Sequence, residues 1–296
     1  MDSELRSIFA QAGGAATYAE LTRACSRKRL RTLVACNEVA KLWHGIYAPN
    51  PVTLEHRLAG ASLAYGRPVT ACLGTAAQLF GFCTEPVPGL HILDTEDVHP
   101  HGHRGLVVHQ RLGAPITKFD GQLVTEPAWT AIEFARTLPR PRALATMDAA
   151  LATGLCDRDA LRVAARRQGG RRGIVAVRQL VEIADGRAQS PMESETRLVF
   201  VDAELEPDLQ VPVLDEAGIP RFYLDFGWRE AMVGVEYDGD AFHSDPLAVR
   251  RDKARIGWMQ DRGWLIIVVS ADDVRRRPDA LVARVRRQHA ARRPAA

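Results

Sequence analysis

The sequence has no apolar run long enough to cross a membrane. A membrane-spanning helix needs roughly 20 apolar residues in succession, and no stretch of this chain approaches that length. The first residues, MDSELRSIFAQAGG, carry acids where a secretory signal carries positive charge. We therefore expect a protein of the cytoplasm.

Cysteine is scarce and scattered. The five cysteines, at positions 25, 36, 72, 83 and 156, form no CxxC pair. This pattern argues against a disulfide framework or a zinc knuckle and favours reduced thiols. The chain also lacks a GxGxxG or Walker phosphate loop and a serine nucleophile elbow. Nucleotide-binding and serine-hydrolase functions are therefore not indicated.

Charge is nearly balanced overall but uneven along the chain. The net formal charge of the 296 residues is +3. From Arg275 to the end there are eight arginines against one aspartate, whereas acids outnumber bases between 188 and 274. Basic tails often contact nucleic acid, although many are simply solvated. The segment RRQGGRRG at 166–173 has the same two interpretations, a nucleic-acid contact or a solvated turn between helices.

Three helical patterns followed by two strands open the chain. Residues 4–12 predict the first helix, and TYAE predicts the start of the second, with Thr17 and Glu20 as a capping box. CSRKRLRTLVACN predicts a third helix capped by Ser26. VAKLWHGIYAP then predicts two short strands that turn at His44. This order is that of a winged helix-turn-helix.

The third helix has the layout of a recognition helix. Leu30, Leu33 and Val34 form an inward stripe, which leaves basic side chains outward near the N-terminal end. Arginine can read guanine bidentately, and lysine mostly contacts phosphate. The candidate contacts to double-stranded DNA are Arg27, Lys28, Arg31 and, at the wing tip, His44. A solvated helix start and a protein-docking winged helix remain as alternatives.

Three segments, YAELTRACSRKRL, KLWHGIYAP and ACLGTAAQLFGF, resemble the AbiEi-type antitoxins of bacterial type IV toxin–antitoxin systems. The resemblance extends from residue 1 to about residue 150. It implies a DNA-binding autorepressor whose second domain neutralises a cognate nucleotidyltransferase-like toxin.

The segment VGVEYDGDAFHSD at 233–245 crowds Glu236, Asp238, Asp240 and His243 behind an apolar strand. Carboxylates crowded on one surface repel each other unless positive charge lies between them. Three explanations are open: a solvated turn, a metal site, or a cluster neutralised by the chain's own arginines.

A turn centred between Glu230 and Ala231 would make Asp225 and Glu236 direct cross-strand partners, with Cβ atoms roughly 5 Å apart. Asp238 shares the face of Glu236 because side chains alternate along a strand. Mg²⁺ and similar hard ions such as Mn²⁺ take oxygen ligands in this arrangement, so Asp225 and Glu236 are the candidate metal ligands.

Glu193 is open to a structural interpretation. It lies three residues after Ser190 in SPMESETR, where a capping box has its glutamate, and Arg197 is placed to form an ordinary ion pair one turn later.

The order of elements over residues 188–290 resembles the PD-(D/E)XK nuclease core, and more closely a bacterial domain family related to the very-short-patch repair endonuclease. The segments that carry the resemblance are SPMESETR, YLDFGW, VGVEYDGDAFH, RRDKAR and RGWLIIVVS. It implies metal-dependent hydrolysis of phosphodiester bonds, with an acidic triad and with His243 as acid/base or phosphate contact. The implied catalytic residues are Glu193, Asp225, Glu236, Asp238 and His243.

One position departs from the nuclease pattern. Asp238 stands where the E-x-K motif has its lysine. Arg251 or Lys253 on the following helix could supply that positive charge, and Arg251 is also a candidate DNA contact.

The predicted fold class is multi-domain, mixed α/β and α+β. A winged helix-turn-helix DNA-binding domain is predicted at 1–49, an α+β antitoxin-like middle domain at 50–187, and a PD-(D/E)XK (restriction-endonuclease-like) domain with a basic C-terminal helix at 188–296. The leading functional hypothesis is a metal-dependent DNA endonuclease. The alternative is a non-enzymatic transcriptional autorepressor or antitoxin with a vestigial nuclease fold.

Overall fold

A computed structural model describes residues 1–95, 104–110, 113–239 and 246–292. The chain is a mixed α/β protein with two compact units, Met1–Glu133 and Phe134–Ala296. Within the described ranges, no helix combines the length and the apolar character that a bilayer crossing requires. The five cysteines are free.

The N-terminal unit begins with three helices and a small antiparallel sheet, in the predicted order. Its elements are α1 (Ser3–Gln11), β1 (Ala16–Thr17), α2 (Tyr18–Ala24), α3 (Arg27–Ala35), β2 (Val39–Trp43) and β3 (Ile46–Pro49). The sheet order is β1-β3-β2, and β1 was not predicted. The Thr17–Glu20 capping box and the Ser26 cap both form as expected, because each hydroxyl accepts a backbone N–H of the following turn.

The inward stripe of α3 is narrower than predicted. Leu30 and Leu33 are buried in one cluster with Leu5 and Phe9, whereas Val34 is 37% exposed. Two apolar positions therefore hold α3 in place, and the rest of its surface is open to solvent.

The remainder of the N-terminal unit is a five-stranded mixed sheet with the order β6-β5-β4-β8-β7. Its elements are α4 (Leu54–Tyr65), β4 (Thr70–Ala71), α5 (Leu73–Leu79), β5 (Leu90–Asp94), β6 (Leu106–Gln110), β7 (Ile116–Phe119) and β8 (Gln122–Thr125). A turn at Asp120-Gly121 joins β7 to β8, and both of its residues have positive φ, of 48° and 81°. The next helix, α6 (Pro127–Ala135), runs past the limit of the unit.

The C-terminal unit joins helices to a four-stranded sheet with the order β12-β11-β10-β9, in which β11 and β12 are parallel. Its helices are α7 (Arg140–Ala152), α8 (Arg158–Arg167), α9 (Ile174–Ile183), α10 (Pro191–Asp202), α11 (Pro246–Gln260), α12 (Ala271–Arg276) and α13 (Pro278–Arg292). Its strands are β9 (Asp208–Leu214), β10 (Pro220–Trp228), β11 (Val233–Tyr237) and β12 (Leu265–Val269). From α10 on, the sequence patterns predict one helix, three strands, a helix, a strand and a final helix, and this order is confirmed with one additional short helix, α12.

The residues on either side of Asp225 pack against different helices. Leu224 joins a cluster with Met259 of α11, whereas Phe226 joins a cluster with Phe200 of α10. Between their partners on β9, Gln210 has a positive φ of 49°, so the strand is kinked at this level. Asp225 therefore lies at an irregular point of the sheet.

Buried ion pairs join α10 to α7. Arg197 binds Asp148 at 2.6 Å, and both side chains are almost fully buried. Glu195, also buried, accepts from Arg142 at 2.9 Å and from Arg275 at 2.8 Å. The helices α7–α9 thus belong to the same compact unit as the C-terminal sheet. The domain limits proposed at 49/50 and 187/188 stay predictions.

Candidate functional site

The acidic cluster is built by one helix and two strands of the C-terminal unit. Glu193 is in the first turn of α10, Asp225 is in β10 and Glu236 is in β11. The antiparallel register pairs Phe226 with Val235, so Asp225 and Glu236 are the next residues along the two strands. The turn position inferred from the sequence accounts for this register.

Glu236 forms an ion pair with Arg255, an arginine that was not among the residues predicted to supply positive charge. Its side chain is 7% exposed, and both carboxylate oxygens accept from Arg255 of α11, at 2.5 and 2.7 Å. The same guanidinium donates to Asp252 at 2.8 Å. Such a two-point pair is the strongest geometry available between arginine and a carboxylate.

The periodicity of α11 could have indicated that Arg255 faces the sheet. Met259, four residues further along α11, is fully buried, and residues four apart share a helix face. That spacing places Arg255 on the face that packs against the sheet. Arg251 and Lys253, which were considered as the compensating charge, are exposed.

The other two acids of the cluster are bound by backbone groups. Asp225 Oδ2 accepts the N–H of Tyr237 at 2.9 Å. Glu193 Oε2 accepts the N–H of Gln189 at 2.9 Å, and the N–H of Glu193 donates to Ser190 Oγ at 3.1 Å. The Ser190 half of the predicted capping box thus forms, but the box does not close, because the carboxylate of Glu193 accepts the N–H of Gln189 and not that of the N-cap residue Ser190. The predicted ion pair between Glu193 and Arg197 does not form, because Arg197 binds Asp148 instead.

The three acids share one electrostatic environment. Burial raises the pKa of Glu193, Asp225 and Glu236 above their ordinary values. The charge of Asp225 adds to the increase in the pKa of both glutamates. Arg255 works in the opposite direction and lowers the pKa of Glu236 and Asp225. The positive charge that the crowded carboxylates need is therefore supplied, at least at Glu236, by the chain itself.

The described carboxylates do not present a shared set of metal ligands. Both oxygens of Glu236 are occupied by Arg255, and the bound oxygens of Asp225 and Glu193 take backbone N–H groups. Among the residues that the structure describes, no group of three potential ligands converges. Arg255 therefore occupies the oxygens of Glu236 that Mg²⁺ or Mn²⁺ would need, and the roles of Asp225 and Glu236 as metal ligands stay predictions.

Two further candidates of the acidic cluster have different outcomes. Asp238 follows β11 and donates its backbone N–H to the carbonyl of Val269 at 2.9 Å. His243 lies outside the described residues, as does Asp240. The proposed roles of Asp238 and His243 in catalysis stay predictions.

The candidate DNA contacts of the N-terminal unit are open to solvent. Arg27, Lys28 and Arg31 are all exposed on α3, and His44 is exposed in the turn between β2 and β3. By contrast, the neighbouring Arg29 pairs with Asp2 at 3.2 Å. The fifth candidate, Arg251, is exposed on α11 of the C-terminal unit.

Residues 69–183 match the AbiEi antitoxin C-terminal domain family. The chain is also 44% identical over 263 residues to two proteins of Mycobacterium tuberculosis, Uncharacterized protein MT2308 of strain CDC 1551 / Oshkosh and Uncharacterized protein Rv2248 of strain ATCC 25618 / H37Rv. Each alignment covers 88% of this chain and 96% of the relative. The chain belongs to the family of these mycobacterial proteins.

The family match bears out the AbiEi-type resemblance for the middle of the chain. It spans β4 to α9. It overlaps the predicted resemblance from residue 69 to about residue 150 and continues beyond it to residue 183. ACLGTAAQLFGF lies within it, whereas the other two segments on which the resemblance depended precede it.

Proposed function

We propose that this protein is a DNA-binding regulator that serves as the antitoxin of a type IV toxin–antitoxin system. The observation that carries the proposal is the match of residues 69–183 to the AbiEi antitoxin C-terminal domain. By analogy with that family, the chain represses its own transcription in the cytoplasm and counteracts a nucleotidyltransferase-like toxin. This assignment adopts the alternative hypothesis from the sequence in preference to the endonuclease.

The first 49 residues are proposed to be a winged helix-turn-helix that binds double-stranded DNA. In this proposal α3 enters the major groove, and Arg27, Lys28 and Arg31 contact base edges and phosphates. The hairpin turn at His44 contacts the adjacent backbone. The support is that the three α3 side chains are exposed on a helix whose two buried leucines fix its orientation.

The C-terminal sheet is proposed to be a PD-(D/E)XK-like domain that supports the regulator without cutting DNA. The support is the two-point bond from Arg255, which meets the charge of Glu236 without a divalent ion. Arg251 on the same helix is proposed as a further DNA contact.

The proposal is tested with duplex DNA from upstream of the protein's own coding sequence. We expect retardation of that duplex at a salt concentration at which a shuffled duplex is no longer bound. A reporter driven by the same upstream region should be repressed by the wild type and released by an Arg27→Gln/Lys28→Gln variant. Equal binding to both duplexes, with no repression, would contradict the regulator.

The antitoxin role requires a separate experiment. Co-expression with a neighbouring nucleotidyltransferase-like gene should restore growth of cells that the toxin alone arrests. A deletion of residues 69–183 removes the matched region but also disturbs the fold, so point variants on exposed positions of that region are the better comparison. Failure of the wild type to restore growth would contradict the antitoxin role and leave DNA binding untouched.

The acidic cluster supports a second candidate function, a metal-dependent endonuclease. The observation in its favour is that Asp225 lies close enough to both Glu193 and Glu236 for its charge to raise the pKa of each. Supercoiled plasmid with Mg²⁺ or Mn²⁺ tests it. Nicking by the wild type that is lost in both Asp225→Ala and Glu236→Ala, and kept in an exposed-acid control, Glu216→Ala, would establish the enzyme.

A further inference from the structure

The connection between α8 and α9 concentrates positive charge on a short turn. Residues 166–172, RRQGGRR, contain four arginines and no acid, and we call this segment the arginine turn. It lies within the region that matches the antitoxin family. The DNA contacts proposed above do not include it.

The side chain of Arg136 holds the arginine turn in place through hydrogen bonds. The buried Gln168 accepts from Arg136 Nε at 3.1 Å, and Arg136 Nη1 donates to the carbonyl of Arg172 at 2.7 Å. Directly after the turn, Gly173 has a φ of 82°, and a Cβ there would lie 2.9 Å from the carbonyl oxygen of Arg136. The turn is therefore a supported feature of the fold.

The nearest acids along α8 and α9 are already engaged. Asp159 and Glu182 both bind Arg162, at 2.8 and 2.6 Å. Arg166 and Arg172 are exposed, and within the described ranges no ion pair forms on either side chain. These two guanidinium groups are held on a fixed backbone with their charge uncompensated.

We propose that the arginine turn binds the phosphate backbone of duplex DNA, as a second DNA contact in addition to α3. The inference rests on the proposed DNA-binding function and extends it to the C-terminal unit. Within the turn, Gln168 is buried and the two glycines have no side chain, so the groups that reach outward are arginines. Val163 and Val175 on the flanking helices are exposed as well, so a protein is the competing partner that the experiment must exclude. Four arginines without an acid are the donors that phosphates need.

The experiment measures duplex affinity as a function of salt concentration, using the full-length chain. Two fluorescent duplexes are compared, the upstream sequence and a shuffled one. The test variant is Arg166→Gln/Arg172→Gln. The matched control is Arg140→Gln/Arg229→Gln. It also removes two positive charges, but from exposed arginines that are paired with Asp202 and Asp208. A third variant, Arg27→Gln/Lys28→Gln, reports on α3.

Each phosphate contact contributes about 0.9 to the slope of log affinity against log salt concentration. We therefore expect the test variant to lose about 1.8 in slope, about 0.9 for each contact, and to lose affinity equally for both duplexes. The control variant should keep the wild-type slope. The unfolding midpoints of both should match the wild type, because all four side chains are exposed.

The outcomes separate the two proposals. Suppose that the wild type binds the upstream duplex and that the α3 variant binds it more weakly. If the test variant then keeps the wild-type slope, the arginine turn is not a DNA contact. If that variant keeps its slope and instead fails to counteract the toxin, the turn binds an acidic protein and the inference is also overturned. If the wild type does not prefer the upstream duplex and the α3 variant binds as the wild type does, the proposed function itself fails.

Discussion

The two charged regions singled out by the sequence, the basic helix α3 and the acidic cluster, differ in what their charges are bound to. On α3, Arg27, Lys28 and Arg31 are exposed. In the cluster, Glu236 is buried and bound at both oxygens by Arg255. Charge that the fold leaves uncompensated is available to a ligand, whereas charge that the fold has paired serves the fold.

This difference is the physical reason for preferring the regulator. An arginine that fills the space between carboxylates competes with any cation for the same oxygens. Displacing it would cost the two-point bond and would leave a partly buried guanidinium with only the exposed Asp252 as its partner. DNA binding by α3 needs no such rearrangement.

The largest effect should come from the most buried ion pair of the C-terminal unit. Arg197→Met leaves Asp148 buried without its charged partner, and we expect a loss of about 4 kcal/mol in the free energy of unfolding. The matched control is Arg162→Met, which breaks the exposed pairs with Glu182 and Asp159 and should cost far less, because solvent screens exposed ion pairs. Urea unfolding measures both. Similar losses in the two variants would contradict the distinction between buried and exposed charge.

Arg255→Ala should have the next largest effect. It leaves Glu236 buried and unpaired, but the Arg255 side chain is itself 30% exposed, so we expect about 2–3 kcal/mol of destabilisation. Arg250→Ala, an exposed position on the same helix, is the control and should unfold as the wild type does. If Arg255→Ala is equally stable, Glu236 has another source of compensation, and our account of the cluster is wrong.

Substitutions on α3 should show the reverse pattern. Arg27→Gln/Lys28→Gln should weaken binding to the upstream duplex by at least about tenfold, because the loss of one bidentate arginine–base contact alone costs roughly 1–3 kcal/mol. The free energy of unfolding should change by less than about 0.5 kcal/mol, as for other exposed positions. Fluorescence anisotropy and urea unfolding measure the two quantities on one preparation. Arg29→Gln, which removes a charge already paired with Asp2, should affect binding less.

The smallest effect is a difference in how stability depends on pH. Burial raises the pKa of Glu193 above its ordinary value of 4.5. The folded state therefore keeps the proton to a higher pH than the unfolded state does. As the pH rises from 4.5 through the raised pKa, the ionised glutamate lowers the free energy of unfolding. Glu193→Gln should therefore be more stable than the wild type at neutral pH, and the gain should disappear below about pH 4.

Glu20 provides the opposite sign. Its pKa is lowered by hydrogen bonds from the backbone and side chain of Thr17. It therefore contributes stability above the ordinary value of 4.5, which is lost as the pH falls through its lowered pKa. Glu20→Gln should be less stable than the wild type at neutral pH. Unfolding midpoints measured between acidic and neutral pH for both variants check the two signs, and differences that do not vary with pH would contradict both.

Local features of both regions could be predicted from the sequence. The caps at Thr17 and Ser26 and the turn that aligns Asp225 with Glu236 depend on residues close in the chain. These are interactions whose partners lie within one or two elements.

Partner choice was the part that could not be predicted. Arg255 reaches Glu236 across 19 positions and Arg197 reaches Asp148 across 49, and both depend on how helices pack on the sheet. The spacing along α10 favoured Arg197 as a partner of Glu193. Arg197 binds Asp148 instead, because a buried carboxylate without a charged partner would be strongly destabilising. The sequence therefore located the acidic cluster but not the cation that compensates it.

The most direct test of the central claim is the thermal stability of the wild-type protein in Mg²⁺, in Mn²⁺ and in EDTA. A ligand that binds only the folded state raises the Tm, and the Tm keeps rising with the logarithm of the ligand concentration once that concentration exceeds the Kd. Because Arg255 already occupies Glu236, we predict the same Tm in all three conditions. A Tm that rises in this way with either metal, and no longer does so in Asp225→Asn and Glu236→Gln, would show that the carboxylates bind an ion and would contradict the account.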